Sequence, residues 1–351
     1  MSVRTRADLD QLPAYVAGRT VPGSIKLASN EVSAGPLPSV VEAINRAATE
    51  VHRYPDIAAT KLVDALAARL DVDAARIAVG CGSVALCEQL VQATCTENDE
   101  VVFPWRSFEA YPIITQVAGA RQVRVPLTEE HALDLDALAA AITPATRMVF
   151  VCTPNNPTGT SLRRDELERF LDSVPSDVLV VIDEAYREFV TDPEAPDGVE
   201  LAQQRENVAS LRTFSKAYGL AGLRAGYAVA PPEVAEALRK VYIPFSVNAL
   251  VQEAAVASLE SQQELKARCD EVVAERSRVR GELLGSGYAV PETQANFVWL
   301  PLGARTAEFN EHCLDNRVVV RAFEDAGARV TIGTPEENDA FLAAAKSFPA
   351  A

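Results

Sequence analysis

Two cations stand eight positions apart in the segment TFSKAYGLAGLRAGYAVA, residues 213–230. Lys216 follows a serine, and Arg224 lies between Gly222 and Gly226. The other residues there are small or apolar, so the segment reads as a tight, largely buried loop. A buried cation needs a partner or a task. A lysine that forms a Schiff base requires such a small, partly dry pocket. A guanidinium beside it suits a phosphate.

Other polar residues fall at comparable places. Asp183 ends the apolar run VLVVID, where a carboxylate is costly unless paired, and Tyr186 follows three positions later. Asn156 sits in CTPNNPTG, a rigid turn after a strand-like run. VGCGSVA, residues 79–85, is a strand, a Gly-x-Gly turn and a helix start, so the amides of Ser83 and Val84 form an anion site. Taken singly, each is also an ordinary turn, cap or ion pair. Taken together they suit pyridoxal phosphate (PLP). Lys216 would bond it and Asp183 would hold the proton of its ring nitrogen. Asn156 and Tyr186 would serve its phenolic oxygen, and Ser83, Val84, Ser215 and Arg224 its phosphate. Phe108, just past a strand end, would cover its face.

The elements that must position these residues alternate. RIAVG, EVVFP, TRMVFVCTP, DVLVVIDEAY, VASLRTFS and LRAGYAVA read as buried strands, several of them followed by amphipathic stretches such as VALCEQLVQATC and RRDELERFLDSV. That alternation predicts a mainly parallel sheet covered on both faces, with ligands beyond the carboxyl ends of its strands. From about residue 247 to 284 a long charged helical region follows, and then ANFVWLPL, VVVRAF and ARVTIGT, with helices between and after them, predict a smaller α+β unit.

Composition removes whole classes. A formal net charge of −16 opposes nucleic acid and anionic membranes. No apolar run approaches the ~20 residues of a membrane span, and the start MSVRTRADLD lacks an apolar leader core. Six dispersed cysteines with no C-x-x-C pair argue for reduced thiols and a cytoplasmic setting. Three histidines without ligand spacing give no metal site. P-loop and dinucleotide fingerprints are absent.

In SNEVSAGPLP, RYPD, GCGS, CTPNNPTG, VIDEAYREF, TFSKAYGLAGLRAGY and ARVTIGT, the chain resembles the fold-type-I PLP aminotransferases, in the histidinol-phosphate and aromatic amino acid branch. The resemblance implies an α/β fold with a large domain built on a mainly parallel seven-stranded sheet and a smaller α+β domain. Residues 1–50 would pack with the small domain, 51–245 form the PLP-binding domain and 246–351 the small one. It makes Lys216 the Schiff-base lysine and general base then acid, Asp183 the pyridinium partner, and Asn156 and Tyr186 donors to the phenolic oxygen. Ser83, Val84, Ser215 and Arg224 would hold phosphate, and Phe108 would stack on the ring. It implies a homodimer with shared sites, in which Tyr54 reaches the phosphate of the other subunit. Arg329 would clamp the substrate carboxylate.

The amino donor divides the branch. The expected wall segments, residues 12–18, 27–32 and 242–250, carry Tyr15, Tyr242 and Phe245 and no arginine or lysine. That composition favours an aromatic amino acid with 2-oxoglutarate, by ping-pong transamination. The alternative is histidinol phosphate, whose phosphate Tyr15, Asn30 and Arg321 would meet. A decarboxylase or lyase of the same fold would keep the cofactor residues. A regulator built on it would carry an added basic domain, for which the sequence shows no extension.

Overall fold

The computed structural model describes residues 20–349 together with Val3, Arg6, Leu9, Asp10 and Leu12. Its strands are β1 (Ile25–Lys26), β2 (Ile77–Gly80), β3 (Glu100–Trp105), β4 (Arg121–Pro126), β5 (Thr146–Cys152), β6 (Leu179–Asp183), β7 (Val208–Thr213), β8 (Gly226–Val229), β9 (Phe297–Leu300), β10 (Val318–Val319), β11 (Arg321–Phe323) and β12 (Gly327–Thr331). Its helices are α1 (Pro38–Ala47), α2 (Thr60–Leu70), α3 (Ser83–Thr94), α4 (Ala110–Ala118), α5 (Leu135–Ala140), α6 (Arg164–Ser173), α7 (Gly198–Gln204), α8 (Pro232–Val241), α9 (Ala249–Glu260), α10 (Gln262–Gly285), α11 (Thr306–Asp315) and α12 (Pro335–Ser347).

Seven strands form the main sheet in the order β2-β8-β7-β6-β5-β3-β4. All neighbours are parallel except the two pairings of β8, which runs against the rest. Both faces are buried. On β5, Met148, Phe150 and Cys152 enter one apolar cluster, while Val149 and Val151 enter the other. Successive side chains leave a strand on opposite faces, so a strand covered on both sides needs an unbroken apolar run. Each fully buried side chain of this size contributes roughly 1.5–3 kcal/mol of burial.

The helical stretch predicted over 247–284 is two helices that part at Ser261. Ser261 Oγ donates to the Ala257 carbonyl and lies 2.9 Å from Ser39 Oγ. Helix α9 and the beginning of α10, through Cys269, belong to the main core. Val279 and Leu283, further along α10, enter a second core with Phe309, Phe341 and Leu27. That second unit carries the antiparallel sheet β11-β12-β9 and the parallel pair β1-β10, so the segment around Leu27 is tied to it. Among the described residues no helix is long and apolar enough to cross a membrane.

Candidate active site

A cavity of about 430 Å³ opens at the carboxyl ends of β5, β6 and β7, between the two cores. It is lined by Asn30, Ser83, Val84, Phe108, Asn156, Asp183, Tyr186, Ser215, Lys216, Arg224, Arg321 and Arg329. Twelve residues singled out from sequence thus converge from seven or more elements and loops.

Lys216 follows β7 in a loop whose Phe214 is fully buried. Its Nζ donates to the Ser29 carbonyl at 3.2 Å and lies 5.9 Å from the centre of the Tyr186 ring. Burial first, and the positive charge of Arg329 second, bring its pKa down to about 7. A lysine amine so placed is a usable base and nucleophile near neutral pH.

Asp183 ends β6 and is 3% exposed. Its Oδ2 accepts a hydrogen bond from the Tyr111 hydroxyl at 2.7 Å, whereas its buried Oδ1 has no hydrogen-bond partner. Burial raises its pKa to about 6, with the Tyr111 hydroxyl pulling the other way. The adjacent carboxylate, Glu184, is neutralised apart from the cavity by Arg212 at 3.0 Å and Ser210 at 2.8 Å.

The phosphate-type subsite is built where α3 begins. Gly82 precedes it with φ +80, and no side chain caps the helix. The first amides of a helix have no partner within it. A Cβ on Gly82 would lie 2.4 Å from Arg224 Nη2, and one on Gly226 would lie 2.5 Å from the Ser83 amide nitrogen. Glycine at both points therefore lets the guanidinium and the helix end approach each other. Arg224 Nη1 donates to Ser215 Oγ at 3.0 Å, which leaves the serine proton for another acceptor. Arg224 itself has φ 65, in the left-handed region, a conformation that costs of order 1–3 kcal/mol and is often found at functional sites.

Asn156 Oδ1 accepts from Arg329 Nη1, and among the described residues the amide nitrogen of its side chain meets no acceptor. Arg329 Nη2 donates to the Ala28 carbonyl at 2.8 Å. Tyr186 Oη accepts from Asn30 Nδ2 at 2.9 Å, so its own proton remains to be given. Asn30 is fixed in turn by Thr331 and Asn296. Phe108 meets Tyr111 edge to face at 5.5 Å.

Pyridoxal phosphate fits this donor set on three features. A buried amine of lowered pKa stands near a buried carboxylate oxygen that lacks a partner. Two glycines open a guanidinium-and-amide cradle of the kind an anion requires. Donor groups on Asn156 and Tyr186 remain unspent.

Several expected residues lie elsewhere. Tyr54 is 81% exposed and stacks on Phe245 at 4.5 Å, away from the cavity lining. Of the wall segments, the one around Ala28–Asn30 lines the cavity. Phe245, from the segment 242–250, stacks with Tyr54 instead, and Tyr15 falls outside the described residues. Arg321 is not solvated: its Nη2 holds both carboxylate oxygens of Glu109, at 2.8 and 3.1 Å. Sequence reasoning missed Tyr111 and Glu109, both within three positions of Phe108, which alone was given a part.

A family model described as aminotransferase class I and II matches residues 22–344. The chain is 60% identical over 350 residues to the aromatic amino acid aminotransferase of Rhodococcus jostii (strain RHA1), covering 100% of this chain and 97% of that one. It is 56% identical over 350 residues to the protein of the same name in Mycobacterium tuberculosis (strain ATCC 25177 / H37Ra), at 99% coverage of each. In structure it resembles the histidinol-phosphate aminotransferase from Sinorhizobium meliloti in complex with pyridoxal-5'-phosphate. The TM-score is 0.91 at 29% identity, over 99% of this chain and 97% of that one.

Proposed function

The chain belongs to the class I and II aminotransferases, and from that premise we propose that it transfers the amino group of phenylalanine, tyrosine or tryptophan to 2-oxoglutarate. The products are the aromatic 2-oxo acid and glutamate, formed by ping-pong turnover. The enzyme is a PLP-dependent transaminase. The relatives named for aromatic amino acids support the donor class. The geometric observation that carries it is the pairing of Arg321 with Glu109, which presents an uncharged donor side chain with a neutral pair in place of a bare guanidinium. Ile113 and Ile114 add apolar wall beside that pair.

Bound PLP supplies an electron sink for negative charge at the substrate α-carbon. The residues divide the remaining work. Lys216 Nζ would take the proton from the substrate α-carbon as base and, as acid, deliver it to the carbon that accepts the amino group. Asp183 Oδ1 holds the proton of the ring nitrogen. Ser83, Val84, Ser215 and Arg224 bind the phosphate, Asn156 and Tyr186 donate to the phenolic oxygen, and Phe108 covers the ring. Arg329 binds the substrate α-carboxylate and orients the α-carbon, while Asn30 lines the donor end. The active form is a homodimer in the cytoplasm, in which Tyr54 completes the partner's phosphate site. The exposed apolar group Tyr54, Ile57, Ile243 and Phe245 supports that assembly.

Histidinol phosphate is the second reading, favoured by the name of the Sinorhizobium neighbour. Parallel assays of phenylalanine and histidinol phosphate, each with 2-oxoglutarate, decide between them. A kcat/KM at least tenfold greater for phenylalanine, about 1.4 kcal/mol of transition-state preference, is expected. The reverse ranking overturns the proposal.

A further inference from the structure

Arg321 and Arg329 are directly opposite each other on the antiparallel strands β11 and β12. Opposed residues of such a pair leave the same face of the sheet, and both side chains line the cavity. Two guanidiniums so close repel unless each is neutralised. The fold gives them different partners, neutral oxygens for one and a carboxylate for the other. Arg329 is held by the Ala28 carbonyl and Asn156, on the side toward Lys216. Among the described residues, Glu109 is the side chain that hydrogen-bonds Arg321. Its bond is not the two-nitrogen fork of the strongest arginine–carboxylate pairs, because Nη2 contacts both oxygens and the other nitrogens contact neither. Glu109 keeps 29% of its side chain exposed against 16% for Arg321, so the carboxylate has somewhere to go and the guanidinium does not. Glu109 also immediately precedes α4, whose start has no side-chain cap. A carboxylate released from Arg321 stays favourable beside that helix end.

We propose that Glu109 is the specificity-determining residue of the side-chain subsite, acting as a displaceable counter-ion for Arg321. With an aromatic donor bound, Glu109 stays on Arg321, and the ring meets a neutral pair instead of a bare buried cation. With a dicarboxylic keto acid bound, its distal carboxylate takes Arg321 and Glu109 turns toward solvent. One subsite thereby serves an uncharged and an anionic side chain in the two halves of the reaction. This proposal rests on the donor and acceptor assigned above.

The test uses the holoenzyme, with glutarate as an unreactive dicarboxylate measured by calorimetry and phenylalanine measured by turnover. In Glu109→Gln, glutarate is expected to bind at least about tenfold more tightly and phenylalanine kcat/KM to fall by at least about tenfold, each the equivalent of one lost or gained ionic bond. Glu109→Asp, which shortens the carboxylate, falls between. Arg321→Gln weakens glutarate about tenfold or more and removes the effect of changing Glu109. A Glu109→Gln enzyme in which glutarate binding is unchanged or weaker overturns the proposal, as does a parallel loss on both ligands, which would mark a merely structural role. If the parent enzyme does not turn over phenylalanine while glutarate still tightens in Glu109→Gln, the donor assignment fails and the counter-ion role stands.

Discussion

The hydroxyl of Tyr111 donates to Asp183 Oδ2 across 2.7 Å, and the Tyr111 ring is stacked on Phe150 at 4.3 Å, so the carboxylate is held from one side only. The other oxygen is left for a ring nitrogen. Burial raises Asp183 to about 6, and the Tyr111 hydroxyl is the principal group opposing that rise. Removing it in Tyr111→Phe costs a charge-assisted hydrogen bond of roughly 1.5–3 kcal/mol, equivalent to about one to two pH units. The acid limb of the kcat/KM profile is expected to move upward by about that much. The cofactor-free protein offers a second readout. A carboxyl group raised in the folded state favours folding below its unfolded pKa, and that contribution disappears as pH rises through about 6. Tyr111→Phe should deepen the loss above pH 6, whereas Asp183→Asn should abolish it. An unmoved acid limb together with an unchanged stability profile would refute the positioning role.

Lys216 titrates in the opposite sense. Its pKa is lowered to about 7, so between about 7 and 10.5 the folded chain binds fewer protons than the unfolded one. The penalty of the buried ammonium is complete below pH 7 and is relieved as pH rises toward 10.5. Cofactor-free Lys216→Met should therefore melt several degrees above the parent at pH 6, with the gain shrinking at alkaline pH. PLP uptake by the parent should accelerate through pH 7 as Nζ loses its proton. Borohydride treatment of the holoenzyme, followed by peptide mapping, should locate the cofactor on Lys216, and an adduct on another lysine would refute the assignment.

The residues that line the cavity were legible because many sit at a strand end within a short, distinctive stretch, as Asp183 does in VLVVID and Asn156 in CTPNNPTG. Strands buried on both faces announced themselves by unbroken apolar runs. Strand β4 did not: RQVRVP lies at the sheet edge with mostly exposed or half-buried residues, so its pattern carries no core signature. VVVRAF reads as one strand but divides at Val320, pairing with β1 on one side and β12 on the other. Tyr111–Asp183 and Glu109–Arg321 join residues 72 and 212 positions apart. No local pattern encodes such pairs: the first forms where α4 packs on the main sheet, and the second where the two cores meet over one cavity.

Gly226 tests the cradle without touching any charged group. Its missing side chain would stand 2.5 Å from the Ser83 nitrogen and 2.9 Å from the Arg212 carbonyl oxygen, and both are backbone atoms that cannot yield cheaply. Gly226→Ala should displace the start of α3 from Arg224 and weaken PLP binding by at least about tenfold, or 1.4 kcal/mol. Gly222→Ala, where nothing lies within 4 Å of the added carbon, is the control and should bind PLP like the parent. Equal PLP affinities in the two variants would exclude a phosphate site at that helix end.

Tyr54 gives the test of assembly. Little among the described residues holds it in place: it is 81% exposed and stacked on Phe245, and Ile57 and Ile243, close in sequence to this pair, are exposed too. A phenol held out on an apolar surface, far from the cavity of its own subunit, is suited to reach into that of another. One phenol-to-phosphate hydrogen bond, charged on the acceptor side, is worth roughly 1.5–3 kcal/mol, so Tyr54→Phe should weaken PLP binding about ten- to a hundredfold. Lys216→Ala should be inactive. If Tyr54 serves the partner's site, a heterodimer of the two variants has one site with both lesions and one with neither. The intact site combines Lys216 of the Tyr54→Phe subunit with Tyr54 of the Lys216→Ala subunit. At limiting PLP the mixture should therefore exceed the summed activity of its parents, approaching half the parent activity per heterodimer. Two measurements check it: subunit exchange followed by native mass spectrometry, and turnover at PLP concentrations between the two dissociation constants. No gain after verified exchange, or an active species that sediments as a monomer, would rule out shared sites.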